Sequence, residues 1–331
     1  TPVPERAVMA VMTSGTTGIP KILFRSFESW ADFFTVQNEV FGVDADSRLF
    51  VQGSLAFTGN LNLYMAQLAA GGTLIAEDVF LPGKWEQVMA CERANGIYLI
   101  PSKLLMLPRV FKGVNANIRT IISGSQSLGR KDAEVLKKIF PNTEITLYYG
   151  ASELNYITYV KSADMTEERN LIGKPFPGVR VFIQDDEMYV DNAFHVENIT
   201  VPYSLKDSGR MDLQGNFYFL GRTDDIVGVR GRKVSMMKIE NALEEVAGIT
   251  EAAVVLLPKE KDADMPAEIV SAFVTVEGTD VPENLRQQLK EKLADFEIPK
   301  RVIVLEAFPK NTSGKVDKAR LKKMWIEQEP Q

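Results

Sequence analysis

The sequence predicts an α/β protein in which a large domain, with a mixed β-sheet flanked by helices, precedes a mobile α+β domain. Three observations predict this class. Short apolar runs alternate with amphipathic helical patterns over the first half of the chain, as in sheets covered by helices. The composition, with 45% hydrophobic and 25% charged residues, excludes disordered, collagen-like and coiled-coil chains. A length of 331 residues predicts two domains at about 150 residues each.

The large domain is predicted from buried strands that alternate with helices. The apolar run Ala7–Met12 predicts a strand buried on both faces of a parallel or mixed sheet. Between Val179 and Phe219 the runs are short and β-forming, with Asn, Asp and Gly between them, which predicts a small β-rich subdomain over about 176–222. The other predicted strands are Thr73–Ala76, Ile97–Ile100, Thr120–Ile122 and Ile145–Tyr149, and the predicted helices include Lys84–Asn95 and Gly129–Phe140.

A domain boundary is predicted between Asp224 and Asp225, where the chain restarts with its own elements and a higher charge density. Residues 1–224 would form the large domain and residues 225–331 the mobile one. In its second helix, leucines recur at every fourth position and predict one buried face. The predicted elements of this domain are helices at Lys238–Ala247 and Glu283–Phe296 and strands at Ala252–Leu257 and Ile269–Val276.

Charge and rare residues narrow the function classes. The formal net charge is −6 without a long Lys and Arg run, so we expect small-molecule partners and neither nucleic acid nor membrane. A single cysteine, Cys91, excludes an internal disulfide and indicates a reducing compartment, by default the cytoplasm. A single histidine, His195, excludes a HExxH zinc site, and we expect it in a surface loop. The sequence has no apolar stretch of roughly 18 residues, the length that would predict a membrane-spanning helix.

The segment Thr13–Lys21, called the phosphate loop below, combines four hydroxyls, two glycines and a lysine directly after a predicted strand. Glycines allow backbone N–H groups to turn towards a phosphate, and hydroxyls and the lysine add donors and charge. The segment lacks the GK[ST] of a Walker A loop. Taken alone, it is equally consistent with a flexible loop without a ligand.

The phosphate loop resembles the signature loop of the adenylate-forming superfamily of acyl-CoA synthetases, peptide-synthetase adenylation domains and luciferases. Six further blocks resemble those of this superfamily and follow in its order, so that the resemblance spans Val8 to about Leu321. These blocks are Ser123–Gln126, Tyr149–Glu153, Gly173–Pro175, Leu205–Arg210, Gly221–Val234 and Asn311–Asp317.

The resemblance implies an ATP-dependent activation of a carboxylate, in which cations and hydrogen-bond donors offset the repulsion between two anions. Lys315, Glu153 and Lys21 are the implied catalytic residues, with Glu153 as the Mg²⁺ ligand and Asp224 as the hinge for a rotating second domain. The implied nucleotide-binding residues are Thr13, Ser14, Gly15, Thr16, Thr17, Gly18, Ser123, Gly124, Ser125, Gln126, Tyr149, Gly150, Ser152, Asp207, Arg222 and Lys233.

Several positions depart from the superfamily pattern. Ile22 replaces a glycine after the loop lysine, and Ser235–Lys238 lacks the Glu and Gly usual in peptide-synthetase domains, which weakens an amino-acid-activating interpretation. Superfamily members normally carry well over a hundred residues before the phosphate loop, whereas this chain has twelve. Either the chain is a naturally short member that lacks most of the N-terminal subdomain, or it is a fragment.

The expected activity is that of a carboxylate-CoA ligase that uses ATP, Mg²⁺ and CoA. Loading of a carrier-protein pantetheine arm is the alternative within enzymes, and a nucleotide-binding remnant without catalysis is a third hypothesis. Polar groups beside apolar ones in the expected acid pocket favour an aryl or modest-length acid with a polar substituent, although the apolar residues Phe57 and Leu61 could equally be core. The pocket residues are Phe57, Thr58, Asn60, Gln126 and Tyr149.

Overall fold

The computed structural model describes residues 2–13, 21–55, 58–223, 226–229, 231–259, 268–310 and 316–327. The chain divides into two compact units. Unit 1 comprises Thr1–Leu205 and Gly209–Phe219, and unit 2 comprises Lys206–Ser208 and Leu220–Gln331.

Unit 1 begins with a two-stranded antiparallel sheet of β1 (Ala7–Thr13) and β2 (Lys21–Ser26), in which Thr13 pairs with Lys21. The prediction that Ala7–Met12 is buried on both faces is wrong, because Val8 and Met12 are largely exposed. A two-stranded sheet packs one face only. That face contributes Val11 and Leu23 to a small apolar cluster with Val196.

An eleven-stranded mixed sheet forms the body of unit 1, and parts of two of its strands, residues 206–208 and 220–222, belong to unit 2. Five strands run parallel to their neighbours in the order β4-β3-β5-β6-β7. They are β3 (Arg48–Gln52), β4 (Thr73–Glu77), β5 (Gly96–Tyr98), β6 (Thr120–Gly124) and β7 (Glu144–Ala151).

The sheet continues beyond β7 in the order β8-β9-β13-β12-β11-β10. The short strands predicted for the β-rich region are therefore part of the large sheet and form no separate sheet. Their bounds are β8 (Asn155–Lys161), β9 (Leu171–Pro175), β10 (Arg180–Gln184), β11 (Glu187–Asp191), β12 (Tyr203–Met211) and β13 (Phe217–Arg222).

Helices cover both faces of the parallel strands, and alternate residues of each strand enter the two cores. Phe50 and Ile121 pack with residues of α4 and α7, whereas Leu49 and Ile122 pack with residues of α2 and α3. The helices are α1 (Phe27–Ala31), α2 (Phe33–Phe41), α3 (Thr58–Ala69), α4 (Pro82–Cys91), α5 (Pro101–Leu104), α6 (Leu107–Val110) and α7 (Arg130–Ile139).

Two predicted helices of unit 1 end earlier than expected. Helix α4 ends at Cys91 and not at Asn95, because Arg93 has a φ of 52°, which helical backbone does not adopt. Helix α7 ends at Ile139, two residues before Pro141, because the residue that precedes a proline is disfavoured in helical conformation.

Unit 2 contains the antiparallel pair β14–β15 and the three-stranded sheet β16-β17-β18, in which the last pair is parallel. The predicted helix Glu283–Phe296 is shorter, but Leu285, Leu289 and Leu293 are all buried as their spacing predicted. The elements are β14 (Ile226–Val229), β15 (Arg232–Ser235), α8 (Met236–Glu244), β16 (Ile249–Pro258), β17 (Glu268–Val276), α9 (Leu285–Lys290), β18 (Arg301–Val304) and α10 (Lys318–Glu327).

None of the helices in the described ranges combines the length and the apolar character needed to cross a membrane.

Two buried tyrosines meet between β5 and β7. The hydroxyls of Tyr98 and Tyr148 lie 2.8 Å apart and form a hydrogen bond, and burial raises the pKa of Tyr148 to about 12. The hydroxyl of the neighbouring Tyr156 is also buried and has no hydrogen-bond partner in the part of the chain that the structure describes. A buried polar group without a hydrogen-bond partner destabilises the fold. The Tyr98–Tyr148 bond therefore matters mainly because its loss would leave a buried hydroxyl unpaired.

This pairing predicts an asymmetric mutational pattern. Each of the single variants Tyr98→Phe and Tyr148→Phe leaves one buried hydroxyl unpaired. Each should therefore lower the free energy of unfolding by about 1–3 kcal/mol. The double variant should lose less than the sum of the two, with a coupling of about 1 kcal/mol in a urea-unfolding cycle. Tyr156→Phe, which removes an unpartnered hydroxyl, should leave the stability unchanged or higher. Additive losses for the first two variants would contradict the pairing.

Candidate functional site

The carboxyl ends of the parallel strands β3, β5, β6 and β7 meet at one edge of the large sheet, called the carboxyl edge below. In open α/β sheets, ligands bind outside such an edge. Gly124 at the end of β6 is the register partner of Tyr148 in β7. The segments Ser123–Gln126 and Tyr149–Glu153, which contain the last residues of these two strands and the residues after them, therefore lie side by side.

Hydrogen bonds to the segment after β5 hold the turn Ser123–Gln126 in place. Ser123 is fully buried and its hydroxyl donates to the Leu99 carbonyl at 2.7 Å. The side-chain oxygen of Gln126 accepts from the Ser102 backbone N–H at 2.9 Å. Because the Ser123 hydroxyl is engaged, the contribution of this turn to a ligand would come mainly from its backbone groups and from Ser125 and Gln126.

Gly124 lies in this turn because no side chain fits there. A Cβ on Gly124 would lie 2.4 Å from the ring of Tyr148, which itself is held in the buried tyrosine pair. The missing side chain lets the β6 backbone pass close to the aromatic ring of β7. Glycine is therefore required by packing at this position of the sequence-predicted site.

The segment Tyr149–Glu153 contains the last three residues of β7 and the start of the tight turn to β8. Tyr149 packs against Phe219 with ring centroids 5.9 Å apart, which fixes the plane of its ring. A Cβ on Gly150 would lie 2.6 Å from the Asn155 carbonyl, so the glycine allows β7 and β8 to approach closely. Ser152 and Glu153 follow as half-buried residues at the carboxyl edge.

Two predicted pocket residues lie in the first turn of α3. The hydroxyl of Ser152 donates to the hydroxyl of Thr58 at 3.1 Å, and the amide of Asn60 donates to the Ser54 carbonyl at 2.9 Å. The structure thus brings Thr58 into contact with the Tyr149–Glu153 block.

A buried arginine in β2, which sequence reasoning missed, supports the same turn. Arg25 is fully buried, and one of its terminal nitrogens, Nη2, donates to the Ser152 carbonyl at 2.9 Å. Burial lowers the pKa of Arg25 to about 10, and the negative charge of Glu153 opposes that shift. The available sequence signal was one arginine directly after the apolar run Ile22–Phe24, which follows the phosphate loop.

Unit 2 contains three of the predicted nucleotide-binding residues. Asp207 is buried, and its carboxylate oxygen Oδ1 lies 4.0 Å from Nε of Arg222. The neighbouring Thr223 hydroxyl donates to the Lys206 carbonyl at 3.0 Å and joins the two segments. Lys233 lies in β15.

The remaining predicted site residues lie outside the described residues: Ser14, Gly15, Thr16, Thr17, Gly18, Phe57, Asp224 and Lys315. Described residues bracket two of these segments. Thr13 pairs with Lys21 on either side of residues 14–20, and Lys310 forms an antiparallel bridge with Val316 on either side of residues 311–315. In both places the two ends of the segment lie next to each other.

The described part of the chain has no cluster of three His, Cys, Asp or Glu residues that could hold a metal ion. A Mg²⁺ ion at Glu153 would therefore take most of its ligands from phosphate oxygens and water, which is the usual manner of binding for MgATP. His195 lies half-buried in a loop, with Nδ1 2.7 Å from the Val196 carbonyl oxygen.

Residues 1–193 match the AMP-binding enzyme family, and residues 238–315 match the AMP-binding enzyme C-terminal domain. The chain belongs to the AMP-binding enzyme family. The superfamily resemblance and the α/β fold class predicted from the sequence are thereby confirmed, and the chain is a member of a family of AMP-forming ligases.

Relatives of this AMP-binding enzyme have low identity. The uncharacterized acyl-CoA ligase YhfT of Bacillus subtilis is 27% identical over 99% of this chain and 70% of the relative. A linear gramicidin synthase of Brevibacillus parabrevis is 26% identical over 94% of this chain and 7% of the relative. The structure of O-succinylbenzoate coenzyme A synthetase from Bacillus subtilis, in complex with ATP and magnesium ion, superimposes with a TM-score of 0.81. It covers 95% of this chain and 69% of that chain at 20% identity, which establishes a shared fold.

The packing of Gly124 against Tyr148 gives a stability prediction for this AMP-binding enzyme. Gly124→Ala forces either the ring or the turn to move and should lower the free energy of unfolding by about 1–3 kcal/mol. Gly113→Ala is the matched control, since a Cβ there meets nothing within 4 Å and should change stability by about 0.5 kcal/mol or less. Urea-unfolding midpoints measure both, and equal midpoints would show that the turn has room for a side chain.

Proposed function

We propose that this enzyme activates a carboxylic acid with MgATP and transfers the acyl group to the sulfur of CoA. In the first step, a carboxylate oxygen attacks the α-phosphorus, the bond to the bridging oxygen breaks, and pyrophosphate leaves. In the second, the CoA thiolate attacks the acyl carbon of the acyl-AMP, and AMP leaves. The observation that carries this proposal is the convergence of Ser123–Gln126, Ser152–Glu153 and Thr58 at the carboxyl edge.

Each group at the carboxyl edge has a chemical task in the proposed first step. Glu153 would hold Mg²⁺ on the phosphate oxygens, and Ser152 would donate a hydrogen bond to the α-phosphate. The phosphate loop would hold the β- and γ-phosphates, with Lys21 adding positive charge. Lys315 would stabilise the negative charge that grows between the carboxylate and the α-phosphate.

In unit 2, the pair Asp207 and Arg222 suits the sugar of the nucleotide. An ionised carboxylate accepts from both ribose hydroxyls, and the arginine beside it supplies donors for the ribose or a phosphate. We further propose that residues 225–331 rotate about Asp224 between the two steps, because Lys315 and the entering CoA cannot serve one fixed arrangement.

The packing beneath the first turn of α3 supports an acid of limited size. A Cβ on Gly59, in the first turn of α3, would lie 3.1 Å from the hydroxyls of both Tyr98 and Tyr148. The tyrosine pair thus fills the space beneath the residues proposed to hold the acid, Thr58 and Asn60. This supports an aryl or modest-length acid with a polar substituent over a long unbranched fatty acid.

Transfer to a carrier-protein pantetheine arm is the second candidate. It is favoured by the similarity to the linear gramicidin synthase. The first candidate is preferred because Ser235–Lys238 lacks the residues usual in peptide-synthetase domains and because 99% of this chain aligns with an acyl-CoA ligase-like relative.

The proposal predicts that Lys315→Ala lowers acid-dependent pyrophosphate release by roughly 10²-fold, the effect of removing one preorganised group that stabilises transition-state charge. The measurement is a screen over aryl, short-chain, medium-chain and amino acids, with and without CoA. Lys322→Ala in α10 is the control, because this lysine is exposed and should leave the rate unchanged.

Thioester formation from supplied acyl-AMP should be retained better than adenylate formation in Lys315→Ala. An equal loss in both steps would contradict the assignment of Lys315 to the first step. Acyl transfer that occurs only when a carrier protein is added would support the second candidate. Absence of pyrophosphate release with every acid would contradict an active ligase and favour a nucleotide-binding protein.

A further inference from the structure

The guanidinium of Arg25 is a charged group that is fully buried in unit 1. Taking a charged group out of water is costly even after the protein relaxes, so a fully buried arginine needs strong local partners. Among the described residues, its hydrogen bonds go to backbone carbonyls: Nη1 donates to Ser29 at 3.0 Å and to Phe194 at 2.8 Å, and Nη2 donates to Ser152 at 2.9 Å. The Nε atom is buried and has no hydrogen-bond partner within the described ranges.

The three carbonyls belong to three separate segments. Ser29 lies in α1, Phe194 lies in the loop that follows β11, and Ser152 lies in the turn after β7. Their sequence separations from Arg25 are 4, 169 and 127 residues. One side chain therefore joins parts of unit 1 that are distant in the sequence.

Two backbone hydrogen bonds connect the segment after Phe194 to this turn and to β2. The Val196 backbone N–H donates to the Glu153 carbonyl of the turn at 2.9 Å, and the Glu197 N–H donates to the Phe24 carbonyl of β2 at 2.7 Å. The carbonyl before Glu153 and the carbonyl of Glu153 itself are thus both held, the first by Arg25. With both carbonyls fixed, the direction in which the Glu153 side chain leaves the backbone is restricted.

The same strand also leads from the phosphate loop. Strand β2 begins at Lys21, the last residue of that loop, and Arg25 lies four residues further on. The Glu153 carboxylate is close enough for its charge to act on the guanidinium. Arg25 thus connects the strand that leaves the phosphate loop to the turn that carries the proposed Mg²⁺ ligand.

We propose that Arg25 is a positioning residue for MgATP: it holds the Ser152–Glu153 turn at a fixed place relative to strand β2, so that Glu153 is oriented to bind the metal ion of the nucleotide. This rests on the proposed function, in which Glu153 is the Mg²⁺ ligand. Groups that orient a metal ligand typically change metal affinity or activity by about 10- to 100-fold when they are removed. A purely structural arginine would change stability alone.

The test compares Arg25→Met and Arg25→Lys with Arg48→Met. Arg48 also donates to a backbone carbonyl, that of Glu92 at 2.7 Å, but it lies at the first residue of β3, at the opposite end of this strand from the carboxyl edge. Thermal midpoints and circular dichroism define a temperature at which every variant is folded. All further measurements are made below it.

Two readouts are measured at saturating ATP. The first is the Mg²⁺ concentration that gives half-maximal acid-dependent pyrophosphate release, and the second is binding of Mn²⁺ to the ATP complex, followed by electron paramagnetic resonance. Arg25→Met should raise both the half-maximal Mg²⁺ concentration and the Mn²⁺ dissociation constant about tenfold or more. Arg25→Lys should lie between Arg25→Met and the wild type, because an ammonium group replaces some of the three hydrogen bonds. Arg48→Met should match the wild type in both.

A folded Arg25→Met variant with wild-type Mg²⁺ dependence and wild-type Mn²⁺ binding would overturn the proposal and leave Arg25 a structural role. If Arg25→Met does not fold, Arg25→Lys decides on the same two readouts. If the wild type releases no pyrophosphate with any acid, the proposed function fails, and Mn²⁺ binding in the presence of ATP still tests the positioning of Glu153.

Discussion

Five neighbouring strands of unit 1 run parallel, and this pairing fixes where ligand-binding groups can collect. Parallel strands all end at the same edge, so the segments after β3, β5, β6 and β7 converge although up to about 50 residues separate successive ones. The register that places Gly124 opposite Tyr148 brings the Ser123–Gln126 turn next to Tyr149–Glu153. Helices on both faces bury the strands and leave the carboxyl edge as the place for polar groups.

Buried polar contacts then define the shape of this edge. The hydrogen-bonded hydroxyls of Tyr98 and Tyr148 lie against the first turn of α3 at Gly59. Because Gly124 has no side chain, the Tyr148 ring fits against the β6 backbone. Arg25 holds the turn after β7 against the hairpin that carries the phosphate loop. In a close-packed interior, even a small change in one of these residues forces its neighbours to shift.

Much of the fold was predictable because its signals are local. Apolar runs located β4 to β7 within one or two residues, and the ordered blocks identified the family. The double burial expected of Ala7–Met12 was wrong, because an apolar run does not reveal how many strands its sheet contains. The end of α4 depended on the backbone of Arg93, which no periodicity predicts.

The residues of the candidate site could be predicted only where they belong to a sequence motif. Ser152 and Glu153 follow β7 as predicted, and Thr58 lies beside them. Arg25 and the Tyr98–Tyr148 pair were missed because their partners lie at distant positions in the sequence. Their importance arises from tertiary contacts, and one sequence contains no signal that joins position 25 to position 152.

In the proposed reaction, a carboxylate oxygen becomes bonded to the α-phosphorus of ATP at the carboxyl edge. The most direct measurement uses an accepted acid labelled with ¹⁸O in both carboxylate oxygens and follows the label by mass spectrometry after one complete turnover with CoA. Attack on the α-phosphorus leaves one labelled oxygen on AMP when the thiolate displaces it, so the predicted result is one ¹⁸O per AMP and none in pyrophosphate. Label in inorganic phosphate with formation of ADP, or AMP without label, would contradict the account.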